Sequence, residues 1–462
     1  MLTYDMENRG GLPLYEYLYR RLREDILEGV LKAGERLPSK RALAEHLRVS
    51  VITVEGAYQQ LEAEGYVSTR PRLGFFVSPV DHVPSPAASA PAELPAEQEP
   101  PAARLDLRSG RVDPSCFPSA LWARLTRQVL SEGGHLAPAP HQGLPALRQA
   151  IARDLRDFKG MAVSPEQIVV GAGAEYLYLL LAQLLGREAV FALEDPGYPK
   201  IRQVYGKWGA DCVPIPLDSQ GMALDPLYAS GATVAHLSPA HHYPTGIVTP
   251  IARRQALLRW AEAVDGVIIE DDYDSEFRFT GRPIPTLQSI DRRERVIYMN
   301  TFSQTISPSM RVGFMVLPPR LLERCRRELG FYASTVPALE QQVLARFLSS
   351  GAYEQHLSRT RKKYRLRRAA VLEAFSACPF AASVTDRGAG LHFLLRLDTE
   401  EDDEALRQRA EGLGVRLGFL SEYAAVPNPA YSHTLVVNYA GLDVERLPEA
   451  VELLESIFLP SR

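Results

Sequence analysis

Residues 297–319 read IYMNTFSQTISPSMRVGFMVLPP. An apolar, β-rich opening gives way to Thr301 and Ser303, then to a Ser-Pro turn and Arg311, then to a second apolar run. Two strands joined by a segment bearing hydroxyls and a guanidinium have the composition of a phosphate rim. The hydroxyls offer single donors and the arginine a planar fork. In the middle sits Gln304, a carboxamide among Thr301, Ser303 and Thr305.

The region around this stretch alternates strands with helices. QIVVGAG (167–173) precedes AEYLYLLLAQLL (174–185), and GVIIEDDY (266–273) and RVIYMNTF (295–302) read as further buried strands. Such alternation predicts an α/β domain with a mainly parallel sheet and a site at the strand C-termini. GAGAEYLYLLL (171–181) places small residues at a strand-to-helix junction, where free backbone N–H groups suit a phosphate. EDPGYPKIRQVY (194–205) offers Tyr198 on a loop shaped by Pro and Gly, either to stack on a flat ring or simply to pack. IIEDDYDSEFR (268–278) is an apolar strand ending in carboxylates: one acid buried against a protonated ring nitrogen, or an exposed acidic loop end. SPAHHYPTGIVTP (238–250) holds two adjacent histidines. Neighbours in sequence do not easily share one ion, and no carboxylate or cysteine has ligand spacing, so no metal site is expected.

The chain of 462 residues is too long for one ordinary domain. Its 46% hydrophobic and 23% charged residues exclude global disorder. No apolar run is long enough for a membrane span and the N-terminus lacks a signal-peptide pattern, so a cytoplasmic location is expected. The four cysteines have no C-x-x-C spacing, which fits reduced thiols. Residues 79–104, SPVDHVPSPAASAPAELPAEQEPPAA, have almost no large apolar side chains and read as an extended tether. They separate a small domain, 1–78, from a large one, 105–462.

In the small domain, helical periodicity runs through 14–31, closed by Gly29 and Gly34. Ser39 caps a short helix bearing Leu43 and Leu47, and Ser50 caps VITVEGAYQQLEAEG, which ends at Gly65. YVSTRPR and GFFVSPV then form a hairpin around Leu73-Gly74. Three helices and a hairpin make a winged helix-turn-helix, whose second motif helix enters the major groove. Ser50 and Thr53 open that helix; Lys40 and Arg41 lie on the one before it, and Arg70, Arg72 and the Gly74 backbone surround the wing tip. These are the candidate DNA contacts. The domain is not strongly basic, so charge alone does not separate a DNA face from a solvated one.

LPSKRALAEHLRVSVITVEGAYQQLEAEGYVSTRPRLGFFV resembles the winged-helix domain of GntR-type bacterial repressors over nearly its whole length. It departs at Val51, where an arginine is usual. The order and spacing of the motifs in 105–460 resemble fold-type I aminotransferases that use pyridoxal 5'-phosphate. Head, linker and body together are similar to the MocR/GabR family of transcriptional regulators. The resemblance implies double-stranded promoter or operator DNA, a small-molecule effector (pyridoxal phosphate, an amino acid or an amine) and a homodimer.

Position by position, the resemblance implies that Ala174 and Glu175 give N–H groups to the cofactor phosphate, with Thr301, Ser303 and Arg311. Tyr198 stacks on the ring, Asp271 pairs with its nitrogen and Tyr273 reaches its hydroxyl. His241 and Tyr243 fall in the segment matching the family's H-Q-[FY]-P-T-G. Gln304 occupies the position of the lysine that holds the cofactor covalently. A carboxamide nitrogen is delocalised into its carbonyl and cannot attack an aldehyde. No neighbouring lysine in sequence replaces it, and Lys362 and Lys363 fall in an arginine-rich helix read as solvated or partner-facing. The arginine that holds the substrate carboxylate in class I aminotransferases is also missing, with Val436 at its place. A ligand-sensing regulator, an aminotransferase with an accessory head, and a regulator with a purely dimerising body all remain open, as does whether Gln304 is natural or stands in for a parental lysine.

Overall fold

The computed structural model describes residues 2–81, 103–108, 110–133, 136–280 and 284–459. Most of the expected tether, 82–102, lies outside the described residues. The chain separates into two compact units, Met1–Pro100 and Pro101–Arg462.

The first unit holds three helices, α1 (Leu14–Leu27), α2 (Lys40–Leu47) and α3 (Val51–Ala63), and the antiparallel hairpin β1 (Val67–Arg70) and β2 (Gly74–Val77). Helix α1 is shorter than the 14–31 read from periodicity, because Gly29 at φ +76° turns the chain away after Glu28. The two serine caps are present: Ser39 Oγ accepts the Ala42 N–H at 3.2 Å and Ser50 Oγ the Thr53 N–H at 3.1 Å. Leu18, Leu22, Leu43, Val54, Tyr58 and Leu61 are fully buried, and the Tyr58 hydroxyl donates to the Pro38 carbonyl at 3.0 Å. At about 1.5–3 kcal/mol per buried side chain of this size, that core holds the helices together without a disulfide or metal.

In the second unit, β3 (Leu105–Asp106) leads through α4 (Ser119–Glu132) and α5 (Pro145–Lys159) into the main sheet. That sheet contains β4 (Ile168–Gly171), β5 (Val190–Asp195), β6 (Asp211–Asp218), β7 (Gly221–Met222), β8 (Val234–Leu237), β9 (Val267–Asp271), β10 (Val296–Thr301) and β11 (Gly313–Val316). Its spatial order is β4-β11-β10-β9-β8-β5-β6-β7. Strands β10, β9, β8, β5 and β6 are mutually parallel, while β11 runs antiparallel between β10 and β4. Buried on both faces, they show continuous apolar runs rather than alternation, as parallel strands do. The register pairs Met299 with Asp271, so the ends of β9 and β10 open on one edge. Helix α6 (Ala174–Leu185) begins on that edge after β4, and α7 (Pro199–Trp208) follows β5.

A smaller antiparallel sheet of β12 (Ala381–Thr385), β13 (His392–Leu397) and β15 (Thr434–Asn438) completes the unit. The short strand β14 (Val415–Arg416) pairs in parallel with β3, tying the start of the unit to its C-terminal part. The arginine-rich stretch lies on the helix Ala352–Ser376; Arg359, Arg361, Lys362 and Arg365 are exposed, as expected from sequence, and three further cations of the stretch meet acids. Lys363 and Arg367 both meet Asp113 at 2.6 Å, and Arg368 binds Asp386. Among the described residues no helix is long and apolar enough to cross a membrane.

Candidate functional site

All nine residues singled out for a cofactor border one cavity of about 400 Å³ in the second unit. Helix α6 presents its N-terminus there, with Gly173 at φ +87° as the residue before it. A Cβ at Gly173 would lie 2.6 Å from Arg311 Nη2, so glycine is what lets the guanidinium lie across the helix start. Arg311 donates to the Glu175 carboxylate, and Lys200 Nζ reaches the same carboxylate at 3.0 Å. Burial alone would raise the Glu175 pKa. The Arg311 and Lys200 hydrogen bonds and the helix start outweigh it and hold the acid at about 2.

Sequence reasoning misses Lys200, because the motif directs attention to lysines near Gln304 rather than opposite it. It belongs to the Tyr198 loop and lines the same cavity. Its pKa is raised, first by the Glu175 hydrogen bond and then by Tyr198, so it is an ammonium at neutral pH. Gln304 is half-buried, and a Cβ on Gly110 would lie 3.2 Å from its Nε2.

The carboxylates after β9 are buried rather than an exposed loop end. Asp271 accepts the Tyr178 hydroxyl at 2.6 Å and lies 3.4 Å from His236 Nε2, whose Nδ1 meets the Tyr205 hydroxyl at 2.8 Å. A buried chain of Tyr205, His236, Asp271 and Tyr178 therefore fixes the acid's orientation. Tyr273 is partly buried with its hydroxyl 3.2 Å from His241 Nδ1, and desolvation, followed by Asp274, pushes its phenol pKa well up. Tyr198 packs edge-on against Tyr243 at 6.0 Å.

The adjacent histidines point to different acids. His241 Nδ1 lies 3.1 Å from Asp274 and His242 Nε2 lies 3.4 Å from Glu194. Neither acid lies at ligand spacing in sequence; the sheet brings both to the histidines. His241, Asp274 and the distant His392 gather with potential ligand atoms within 4.8 Å of one another. His392 Nε2 already meets the Pro244 carbonyl at 2.9 Å, and a contact of that kind accounts for a buried histidine without an ion.

The Glu194–His242 pair carries a pH dependence. Burial raises Glu194 to about 8 and lowers His242 to about 3, so the pair is neutral and the proton sits on the carboxyl. The unfolded chain releases that proton near the ordinary glutamate pKa of about 4.3. By itself Glu194 loses stabilisation as pH rises from that value towards 8, while His242, depressed from an ordinary value of about 6.5, gains it up to about pH 6.5. The two offset each other there, and the pair's net loss falls between about pH 6.5 and 8. Glu194→Gln can keep an amide oxygen as acceptor for the Ser238 N–H (2.8 Å), on the atom that also faces His242, and leaves no carboxyl to ionise. Urea unfolding of this variant is expected to show a flatter stability profile than the native chain between about pH 6.5 and 8, where the Glu194 loss is not offset by His242.

In the first unit, the candidate DNA contacts divide. Arg41, Arg70 and Arg72 are exposed, with Arg72 at φ +64° in the wing turn and the Arg70 guanidinium 4.4 Å over the Phe76 ring. Gly74 at φ +106° pairs with Arg70 across the hairpin. Lys40 instead bonds Glu55 at 2.5 Å, joining α2 to α3, and the Thr53 hydroxyl bonds Ser50 Oγ at 2.8 Å. Ser50 and Thr53 both take part in the cap of α3. Sequence reading misses Ile52, which leaves 79% of its surface exposed on the first turn of α3.

Comparison with known proteins agrees with both units. Residues 14–77 match the family of bacterial regulatory proteins, gntR family, and residues 105–454 match aminotransferase class I and II. The chain is 35% identical to the uncharacterized HTH-type transcriptional regulator YhdI of Bacillus subtilis, over 99% of this chain and 98% of that protein. It is 34% identical to the probable rhizopine catabolism regulatory protein MocR of Rhizobium meliloti, over 99% and 96%. Identity is also 34% to the HTH-type pyridoxine biosynthesis transcriptional regulator PdxR of Corynebacterium glutamicum, over 86% of each. Among solved structures, LysN, the α-aminoadipate aminotransferase of Thermus thermophilus complexed with N-(5'-phosphopyridoxyl)-L-leucine, is similar at a TM-score of 0.69. That match has 27% identity over 77% of this chain and 92% of that one.

A winged helix joined to a class I/II aminotransferase fold defines a DNA-binding regulator with an enzyme-like body. The chain belongs to the MocR-type transcriptional regulators of the GntR family.

The residues present fit a phosphorylated pyridine. A cavity of this size suits a small ligand. It has a helix N-terminus with Arg311 for a dianion and a buried, oriented carboxylate at Asp271 for a protonated ring nitrogen.

Proposed function

We propose that the aminotransferase-like unit binds pyridoxal 5'-phosphate or a closely related ligand without a covalent link. Its occupancy then biases how a homodimer presents paired winged helices to promoter DNA. The observation that carries this reading is the intact cavity around Gln304: Asp271, Tyr273, Arg311 and the α6 start all border it. A ring lacking its covalent lysine still gains from those contacts, and bound pyridoxal phosphate would supply electron withdrawal. Here Asp271 holds the ring-nitrogen proton, Arg311 and the Ala174 and Glu175 N–H groups orient the phosphate, and Gln304 offers hydrogen bonds only. No amine in that position takes or returns a proton, so transaminase turnover is not expected.

Equilibrium dialysis of the native chain against pyridoxal phosphate tests the binding. Asp271→Ala and Arg311→Ala should weaken it by roughly 10-fold or more each, the worth of a charge-assisted contact. Regulation requires different ligand affinities in two head arrangements. Operator affinity unchanged at saturating ligand would leave the body as a dimerising platform.

The DNA face is tested separately. Arg41→Ala and Arg72→Ala are expected to weaken operator binding on every sequence alike. Each should reduce the slope of log affinity against log salt by about 1, as loss of one phosphate contact does. Lys40→Ala should act mainly on stability, since its partner is Glu55.

A further inference from the structure

We infer that the cavity carries a second anion subsite, built on Arg108, that takes the carboxylate of an amino-acid ligand. This inference rests on the cofactor reading above and deepens it.

The place where a class I enzyme would offer a carboxylate-binding arginine is closed in this chain. Val436 lies on β15, is apolar and fully buried, and gives the cavity no cation. Arg108 provides one. It follows β3, enters the cavity wall from the opposite end of the unit's sequence and stays about half-exposed there. Its backbone is pinned: Asn438 Nδ2 donates to the Leu107 and Arg108 carbonyls at 3.2 and 3.3 Å, and Leu107 N–H donates to the Arg416 carbonyl at 3.0 Å. A side chain carried on so fixed a segment loses less freedom on binding than one on a loose loop.

The surroundings suit a carboxylate. Arg108 Nη2 donates to Glu422 Oε2 at 2.7 Å, and Glu422 is itself held by the Phe419 N–H at 3.1 Å. The guanidinium has five N–H donors, so one glutamate oxygen leaves capacity for a bidentate ligand. The phenols of Tyr243 and Tyr423 lie 3.0 Å apart, and burial keeps both protonated although Arg108 favours their ionisation. Tyr243 and Asn438 also border the cavity. Guanidinium, phenol and carboxamide thus converge on one part of the wall, while Arg311 and Lys200 meet Glu175 on another. Two cation groups in one cavity call for a ligand with two anions: a phosphate, and a carboxylate carried on the amine side.

The test uses N-(5'-phosphopyridoxyl)-L-leucine and its decarboxylated counterpart, N-(5'-phosphopyridoxyl)-3-methylbutylamine, each titrated calorimetrically into the full chain. Neither needs a covalent step. The leucine conjugate is expected to bind roughly 10- to 100-fold more tightly, the range of a hydrogen-bonded charge pair. Arg108→Met should remove that preference and leave the amine conjugate's affinity unchanged, while Arg108→Lys should retain part of it. Equal binding of the two conjugates by the native chain, or a preference that survives Arg108→Met, overturns the Arg108 assignment alone. Failure of both conjugates to bind overturns the cofactor reading and this inference together.

Discussion

Gln304→Lys is expected to convert a chain that yields no borohydride-fixed adduct with pyridoxal phosphate into one that yields a single adduct at position 304. The argument is chemical first. Attack on an aldehyde needs a nitrogen lone pair, and the amide of Gln304 has given its pair to the carbonyl. A lysine there would extend from β10's end into the same cavity and bring the primary amine that the attack requires. Lys200 is the alternative nucleophile in the same cavity. Its amine is held as an ammonium by Glu175 and directed toward the Arg311 side. The native chain should therefore show no fixed mass increment after reduction and peptide mapping, at Lys200 or elsewhere. An adduct at Lys200 in the native chain would overturn the assignment of Gln304 as the residue that removes covalent attachment. The converse substitution of Lys200 by Met should lower pyridoxal phosphate affinity through the phosphate side without changing where the Gln304→Lys adduct forms.

Features whose causes are local are legible in the residues themselves. Ser39 and Ser50 cap their helices because the donor lies three residues on, and Gly65 ends α3 because only a few residue types tolerate its φ of +79°. Asp271 and Thr301 stand out because apolar strand patterns end beside them. The site's pairings are less visible. Arg108 reaches Glu422 across 314 positions, Arg311 reaches Glu175 across 136, and Lys159 reaches Asp272 across 113. Such contacts depend on which strand lies beside which, and the order β4-β11-β10-β9 cannot be read from periodicity. The same reason hides part of the arginine-rich helix. Arg361, Lys362 and Arg365 are exposed as read, while Asp113, some 250 residues earlier, is carried against Arg367. For the DNA end, motif position suggests Thr53 and Lys40 as contacts, while the folded unit ties one to the Ser50 cap and the other to Glu55.

Lys159→Met is expected to destabilise the second unit by about 3–5 kcal/mol at neutral pH, the cost of breaking a buried ion pair by removing one partner. Lys159 ends α5, with Gly160 at φ +67° turning the chain after it, and its side chain is 11% exposed. Nζ meets Asp272 at 3.0 Å and Glu276 at 3.1 Å, and it also bonds Ser275. Burial would lower its pKa, but the two carboxylates overcome this and raise it. Methionine would preserve most of the volume and leave both acids in low dielectric. Asp154, already raised to about 7 by burial and by Glu276, would lose the lowering effect of Lys159 and rise further. The sign with pH follows. Native Asp272 is held below its usual range by Lys159 against the effect of burial, so its contribution is present above the unfolded pKa and lost as pH falls. In the variant the acids take up protons instead, and the deficit should shrink between about pH 7 and 5. The consequence reaches the cavity, because Asp272 follows Asp271 directly and Tyr298, on the neighbouring strand, donates to it at 2.7 Å. Chemical denaturation at two pH values checks the stability, and pyridoxal phosphate dialysis in the cold checks the site. Asp272→Asn introduced with Lys159→Met should recover part of both; no recovery would mean that the lysine acts through packing and not through its charge.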